Sequence, residues 1–159
     1  MTSSNPANPT TQQPSTLENC PTIRACFRAG AIMGGVGVAL AAMGAHLPDS
    51  ALAQPSLLKG MENDRPPVDG RTMLGRSARL CLVHAAALCA LGAASPALKP
   101  RMAKAAAVSL ATGTALFSGT VALRALKKPV PARLAPLGGQ LLIAGWGMLA
   151  LALPKRRPS

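Results

Sequence analysis

The stretch from Leu134 to Leu153, L-A-P-L-G-G-Q-L-L-I-A-G-W-G-M-L-A-L-A-L, has no charged residue and is bracketed by Arg133 and Lys155-Arg156-Arg157. A helix crosses the hydrocarbon core of a bilayer with roughly 17 to 25 mostly apolar residues, and this run meets that demand. Three comparable runs precede it. The expected spans cover residues 29–46, 78–94, 104–124 and 136–153, so the chain reads as an all-α, integral membrane four-helix bundle. A short basic connection after the third span makes spans three and four antiparallel neighbours.

Composition supports this reading and narrows the partners. Apolar residues make up 49% of the chain and charged residues only 14%, which is unusual for a soluble domain of this size. Seventeen Lys and Arg against five Asp and Glu give a net charge of +12. On a soluble protein that excess would point to nucleic acid, but here the basic residues lie between the apolar runs, where they meet lipid headgroups. Two Phe, one Trp and no Tyr leave little to stack on bases, so nucleic acid is excluded as a partner. The expected surroundings are the lipid bilayer and either a membrane-protein partner or further copies of the chain.

Outside the spans the sequence is polar. Residues 1–23 are rich in Ser, Thr, Pro, Asn and Gln and read as a disordered tail. Residues 48–76 form a loop insertion holding Asp49, Glu62, Asp64 and Asp69, with Arg71, Arg76 and Arg79 as an interfacial lead into the second span. Arg28, an apolar core and Ala51-Leu52-Ala53 offer a competing signal-peptide reading of span one. The long, nearly uncharged region ahead of it and the interruption at His46-Leu47-Pro48-Asp49 argue against cleavage. Four spans place both termini on one side, and the Lys and Arg of the chain then divide eight to nine between the two sides. The positive-inside rule gives no orientation.

Small residues mark the packing faces. Gly30 and Gly34 are one turn apart and Gly37, Ala41 and Ala45 continue the interval, baring one side of span one, and Gly138, Gly139 and Gly145 do the same for span four, with Trp146 expected to fill space beside Gly145, Gly147 and span one. Cys20 and Cys26 flank the start of span one, and Cys81 and Cys89 lie in span two. Neither pair has a zinc spacing, and the span-two pair reads as small core residues.

One leaflet gathers the polar groups. His46 closes span one, His84 is expected near the start of span two about one helical turn away, and Gln140, Ser118 and Thr120 lie in the matching ends of spans four and three. Polar side chains inside a membrane suggest a site, or else they fix helix packing through hydrogen bonds. Haem ligation would need a planar slot between the histidines that the sequence does not indicate, so no cofactor and no metal is expected. A proton or solute path along His46, His84 and Gln140 is weakened by the lack of Asp or Glu in any span. Ser118-Gly119 lacks a nucleophile-elbow context, and no catalytic set converges, so an enzyme is not expected.

G-G-V-G-V-A-L-A-A-M-G-A-H at Gly34–His46, V-H-A-A-A-L at Val83–Leu88, A-T-G-T-A-L-F-S-G-T at Ala111–Thr120 and L-A-P-L-G-G-Q-L-L-I-A-G-W at Leu134–Trp146 together resemble one family of small membrane proteins. It is the domain of unknown function four hundred and twenty-three, which includes transmembrane protein two hundred and fifty-six. The resemblance implies a four-helix integral membrane protein, in the plasma (inner) membrane if bacterial and in the mitochondrial inner membrane if eukaryotic, without an established activity. It marks Gly44, Ala45, His46, His84, Phe117, Ser118, Gly119, Pro136, Gly138, Gly139, Gly145 and Trp146 as family-pattern positions. The aromatic residues that family members carry before the second-span His and after the F-S-G segment are missing here, where Leu80–Val83 and Ala122 stand. A structural or accessory subunit, within a respiratory assembly if mitochondrial, is the leading expectation; a small transporter or proton-conducting bundle is the alternative.

Overall fold

The computed structural model describes residues 21–54 and 68–153, and the polar tail read over residues 1–23 falls almost wholly outside them. Among the described residues there are four α-helices: α1 (Pro21–His46), α2 (Gly70–Ala94), α3 (Pro100–Ala125) and α4 (Leu134–Leu151). All four are long and apolar enough to cross a membrane. They alternate in direction and pack in chain order, α1 on α2, α2 on α3 and α3 on α4, while α1 and α3 barely touch. The architecture is therefore two close hairpins, α1–α2 and α3–α4, joined along α2 and α3.

Each hairpin closes on glycine. A methyl on Gly30 would lie 2.6 Å from Cys89 Sγ and 2.9 Å from the Ala85 carbonyl, and one on Gly37 would lie 2.9 Å from Leu82 Cγ. In the second hairpin a Gly138 methyl would meet the Phe117 nitrogen at 2.6 Å, and a Gly145 methyl would meet Leu110 at 2.9 Å. Lipid tails are as apolar as leucine, so membrane helices associate through this kind of close van der Waals approach. Gly34 and Gly139 belong to the same faces at ordinary contact, 3.8 Å from Ala85 Cβ and from the Phe117 ring.

The bare face of α1 differs from the expected one in pitch. Gly30, Gly37 and Gly44 are buried, seven residues apart, whereas Ala41 and Ala45, which continue the four-residue spacing, are exposed. Four residues overshoot a full turn by about 40° and seven fall short of two turns by only about 20°, so the seven-residue series stays on the seam.

Three leucine clusters stack through the bundle. Leu40, Leu52 and Leu74 pack at the end near His46, Leu88, Leu110 and Leu142 in the middle, and Leu91 with Ala103 and Ala106 at the opposite end. Cys81 is buried in the first of these, as a small core residue.

The helices begin earlier than hydropathy suggests. α1 is already helical at Pro21, ahead of the expected residue 29. α2 starts at Gly70 rather than 78, because Asp69 caps it, its carboxylate accepting from the Thr72 backbone N–H at 2.6 Å. Arg71, Arg76 and Arg79 are thus helical, and the loop insertion ends at Asp69. Pro136 lies within the first turn of α4, as expected.

The described part of the loop before residue 55 is folded as a plug, and Glu62 and Asp64 lie outside the described residues. Asp49–Ala51 forms a single 3-10 turn, Leu52 and Ala53 are buried, and Ala53 N–H donates to the Ala125 carbonyl at 2.8 Å while its own carbonyl accepts from Gly70 N–H at 2.9 Å. The Ala51-Leu52-Ala53 segment that mimics a cleavage site is thereby built into the junction of α2 and α3. Gly70 is needed there, since a methyl would lie 2.7 Å from the Ala53 nitrogen and 2.8 Å from the Ala125 oxygen.

Basic side chains close the helix C-termini. The Arg71 guanidinium donates to the Gly44 carbonyl, to the Ala45 and Leu47 carbonyls at 3.2 and 3.1 Å, and pairs with Asp49 at 2.9 Å. Lys99 Nζ donates to the Leu151 carbonyl at 3.2 Å and its backbone N–H to Ala152 at 2.9 Å. At the end of α3, Lys127 takes the left-handed φ of 59°, with Lys127 N–H bonded to Arg124 and Lys128 N–H to Leu123, and its Nζ reaches the Ser50 carbonyl at 2.6 Å. This is a Schellman end in which lysine stands where glycine is usual. Cations at these positions also oppose the helix dipole.

Two predictions follow from the seams and caps. Gly138→Ala forces two backbones apart and should lower stability by about 1–3 kcal/mol, whereas Gly35→Ala and Gly147→Ala, whose methyls would meet nothing within 4 Å, should be neutral or mildly stabilising; unfolding by denaturing detergent checks both. Asp69→Ala should cost about 1 kcal/mol at pH 7. The hydrogen bond from the Thr72 N–H holds the Asp69 carboxyl below its usual 3.8. Its stabilisation is therefore whole above that value and is lost as pH falls through the lower folded value. Unfolding measured from pH 7 downward should show wild type and variant converging only in that acidic range.

Candidate functional site

His84 is the polar side chain around which the buried chemistry is arranged. It lies in the middle of α2, is 5% exposed, and has both ring nitrogens engaged. Nδ1 is 2.9 Å from the Leu80 carbonyl one turn back, and Nε2 is 3.3 Å from Trp146 Nε1 on α4. An indole N–H can only donate. Nε2 is therefore the acceptor, the proton resides on Nδ1, and Nδ1–H donates to Leu80. The two rings meet edge to face, with centroids 6.1 Å apart and planes at 65°.

Trp146 corrects one expectation. It does not fill space against α1. It lies at the surface, 46% exposed, with its N–H turned inward across α3 to α2. Its neighbour Gly145 faces Leu110 instead, so successive residues of α4 serve two different contacts.

The other expected members of the cluster are dispersed. His46 is exposed at the end of α1, level with Arg71, which grips the carbonyls on either side of it. His84 is thirteen residues beyond Arg71, about 20 Å along the helix axis rather than one turn. The shift follows from the early start of α2, which carries His84 to mid-membrane. Gln140 is exposed, on the outer face of α4. Ser118 and Thr120 are buried in α3, at 2% and 4% exposure, and neither is bonded to a histidine or to Gln140.

The hydroxyls behave in three ways. Thr114 returns its hydrogen bond to Leu110 one turn back at 2.7 Å, as span hydroxyls are expected to do. Ser109 instead crosses to the Leu141 carbonyl of α4 at 2.7 Å and ties the second hairpin. Ser118 Oγ and Ser77 Oγ are enclosed with no hydrogen-bond partner. Ser77 is seven residues after Gly70 and Ser118 seven before Ala125, and those two ends are joined through Ala53, so both orphan hydroxyls lie at one depth in the α2–α3 seam. Sequence reasoning passed over Ser77 because it sits between Arg76 and Arg79. It passed over Arg71 as a cap because its partners are distant in sequence. Among the described residues, no three His, Cys, Asp or Glu side chains are grouped to hold a metal ion.

The model of the family described as Protein of unknown function (DUF423) matches residues 40–139, more than half of the chain. The chain belongs to this family. No curated protein and no solved structure matches it. In this DUF423 protein the matched region runs from Leu40 in α1 to Gly139 in α4. It contains His46, His84, Ser118 and the seam glycine Gly138, and stops short of Trp146. Family membership and four helices long and apolar enough to cross a membrane thus agree.

The His84–Trp146 bond is directly measurable. Trp146→Phe keeps an aromatic ring and removes the donor, and His84→Ala removes the acceptor. A double-mutant cycle on detergent-solubilised protein should give a coupling of about 0.5–1.5 kcal/mol. Additive single effects would mean that the two side chains do not interact.

Proposed function

We propose that this DUF423 protein is a non-enzymatic structural or accessory subunit of a larger membrane assembly. The observation supporting this is the state of His84. The one histidine inside the membrane has each nitrogen committed to a neighbour, Leu80 on one side and Trp146 on the other. A general base or metal ligand needs a free lone pair, and the lone pair here receives the indole N–H. A polar side chain used in this way fixes the packing of helices. The conducting alternative needs His46, His84 and Gln140 along one path, and it is opposed by the roughly 20 Å between the histidines and by the outward face of Gln140.

The membrane in question is the plasma membrane of a bacterium or the inner mitochondrial membrane of a eukaryote, where a respiratory assembly is the partner we favour. Purification of the full chain in a mild detergent, followed by mass spectrometry of what accompanies it, tests the reading. A stoichiometric membrane-protein partner is the expected result, and recovery as a lone monomer or homo-oligomer refutes it. In liposomes, wild type and His84→Ala should show the same proton and solute flux as empty vesicles; flux that disappears with His84→Ala would establish the conducting alternative instead.

A further inference from the structure

Two apolar grooves run side by side on the face of α3 at the membrane end opposite His46. One, of about 370 Å³, opens between α1 and α3 because both lean on α2 and hardly on each other; Ala25, Ala29, Ala107 and Ala111 form its walls and Leu88 its floor. The other, of about 500 Å³, opens between α3 and α4, with Ser109, Thr112 and Leu141 among its lining. Val108, 66% exposed, is the ridge between them and belongs to both. Lys104 also belongs to both. It is the single charged residue lining either groove, and it is exposed.

Inside a bilayer such recesses are filled by whatever apolar matter is adjacent, since an unfilled one forfeits dispersion contacts. We infer that this face binds one anionic diacyl glycerophospholipid, with an acyl chain in each groove astride Val108 and its phosphate on Lys104. Lys104 is one turn from the start of α3, about 6 Å from Pro100 along the axis, which is headgroup level for a helix that enters the membrane there. Arg24, Arg28, Lys99 and Arg101 surround the same end. The acidic side chains among the described residues, Asp49 and Asp69, are both at the opposite end. Lys99 is spent on the Leu151 carbonyl, whereas among the described residues no hydrogen bond or ion pair holds the Lys104 ammonium. The match is one of number as well as sign: two apolar channels converge on one cation, as two chains converge on one phosphate.

Native mass spectrometry of the full chain in detergent micelles tests this with phosphatidylglycerol and phosphatidylcholine of equal chain length. One phosphatidylglycerol per chain should be retained about tenfold over phosphatidylcholine. Lysophosphatidylglycerol, with a single chain, should be retained several-fold less than the diacyl form. Lys104→Gln should abolish the headgroup preference, and Arg101→Gln, at the same end but outside both grooves, should keep it. Equal retention of the two headgroups, or equal loss in the two variants, would reduce the effect to diffuse surface charge and overturn the assignment. Displacement of the lipid by millimolar glycerol phosphate would show a bare anion site without grooves. Efficient crosslinking of Val108→Cys to a second copy in membranes would give the face to a protein neighbour and refute it equally.

Discussion

Close backbone approach at glycine is the constraint on which the bundle depends. In water a helix hairpin gains by removing apolar surface from solvent; in lipid that gain is absent, and contact must come from shape. The positions where a methyl would intrude, Gly30 and Gly37 in the first hairpin and Gly113, Gly138 and Gly145 in the second, are where the chain supplies that shape. The intruded atoms include backbone at Gly30, Gly113 and Gly138, namely the Ala85 carbonyl, the Gly138 carbonyl and the Phe117 nitrogen, and are chiefly leucine side chains at Gly37 and Gly145. Backbone cannot rotate aside as a side chain can, which makes Gly30, Gly113 and Gly138 structural in a way that Gly35, Gly119 and Gly147, with open space beside them, are not.

Once the hairpins are this tight, their ends become crowded with unpartnered carbonyls, and the basic residues between spans find their use there. Arg71, Lys99 and Lys127 each reach back to carbonyls of another segment. This explains why counting Lys and Arg gives no orientation. A cation engaged in closing a helix serves folding on whichever side it falls, so the eight-to-nine division mixes structural caps with residues free to sense lipid charge. The same distinction separates Lys99 from Lys104, which are five residues apart and differ in having or lacking such a carbonyl.

Much of the fold was legible in the sequence, because hydropathy alone sets the number of spans and the small residues mark their faces. Leu137–Leu153 without a charge and P-x-G-G at its start place α4 almost to the residue. The start of α2 was not legible by the same means, since Arg71, Arg76 and Arg79 lower its hydropathy while Asp69 caps it. That one displacement undid the expected histidine pair, moving His84 from the membrane surface to its middle. The bond from Trp146 was hidden for another reason: residues 62 apart in sequence, on helices that are not neighbours in the chain, leave no local pattern. Burial of Ser118 and Thr120 was anticipated as polarity but not as isolation, because their surroundings are set by α2.

The two hairpins meet along a seam of a different kind. Between α2 and α3 no glycine is pressed against backbone except Gly70 at the very end, and the seam carries two enclosed hydroxyls, Ser77 and Ser118, without partners. A close-packed interface with orphan polar groups is weaker than one without them, since each buried hydroxyl has given up a hydrogen bond to water or to its own helix. What offsets this lies at the two flanks. At one membrane end Ala53 bridges Gly70 and Ala125 by backbone hydrogen bonds. In mid-membrane Trp146 passes over α3 to His84, joining the outermost helix of one hairpin to the inner helix of the other. A contact between α2 and α3 alone would leave the hairpins free to pivot about their line of contact. A bond from α4 to α2 removes that freedom, because it fixes a second line. His84 and Trp146 therefore set the angle between two units that the glycines have already made rigid.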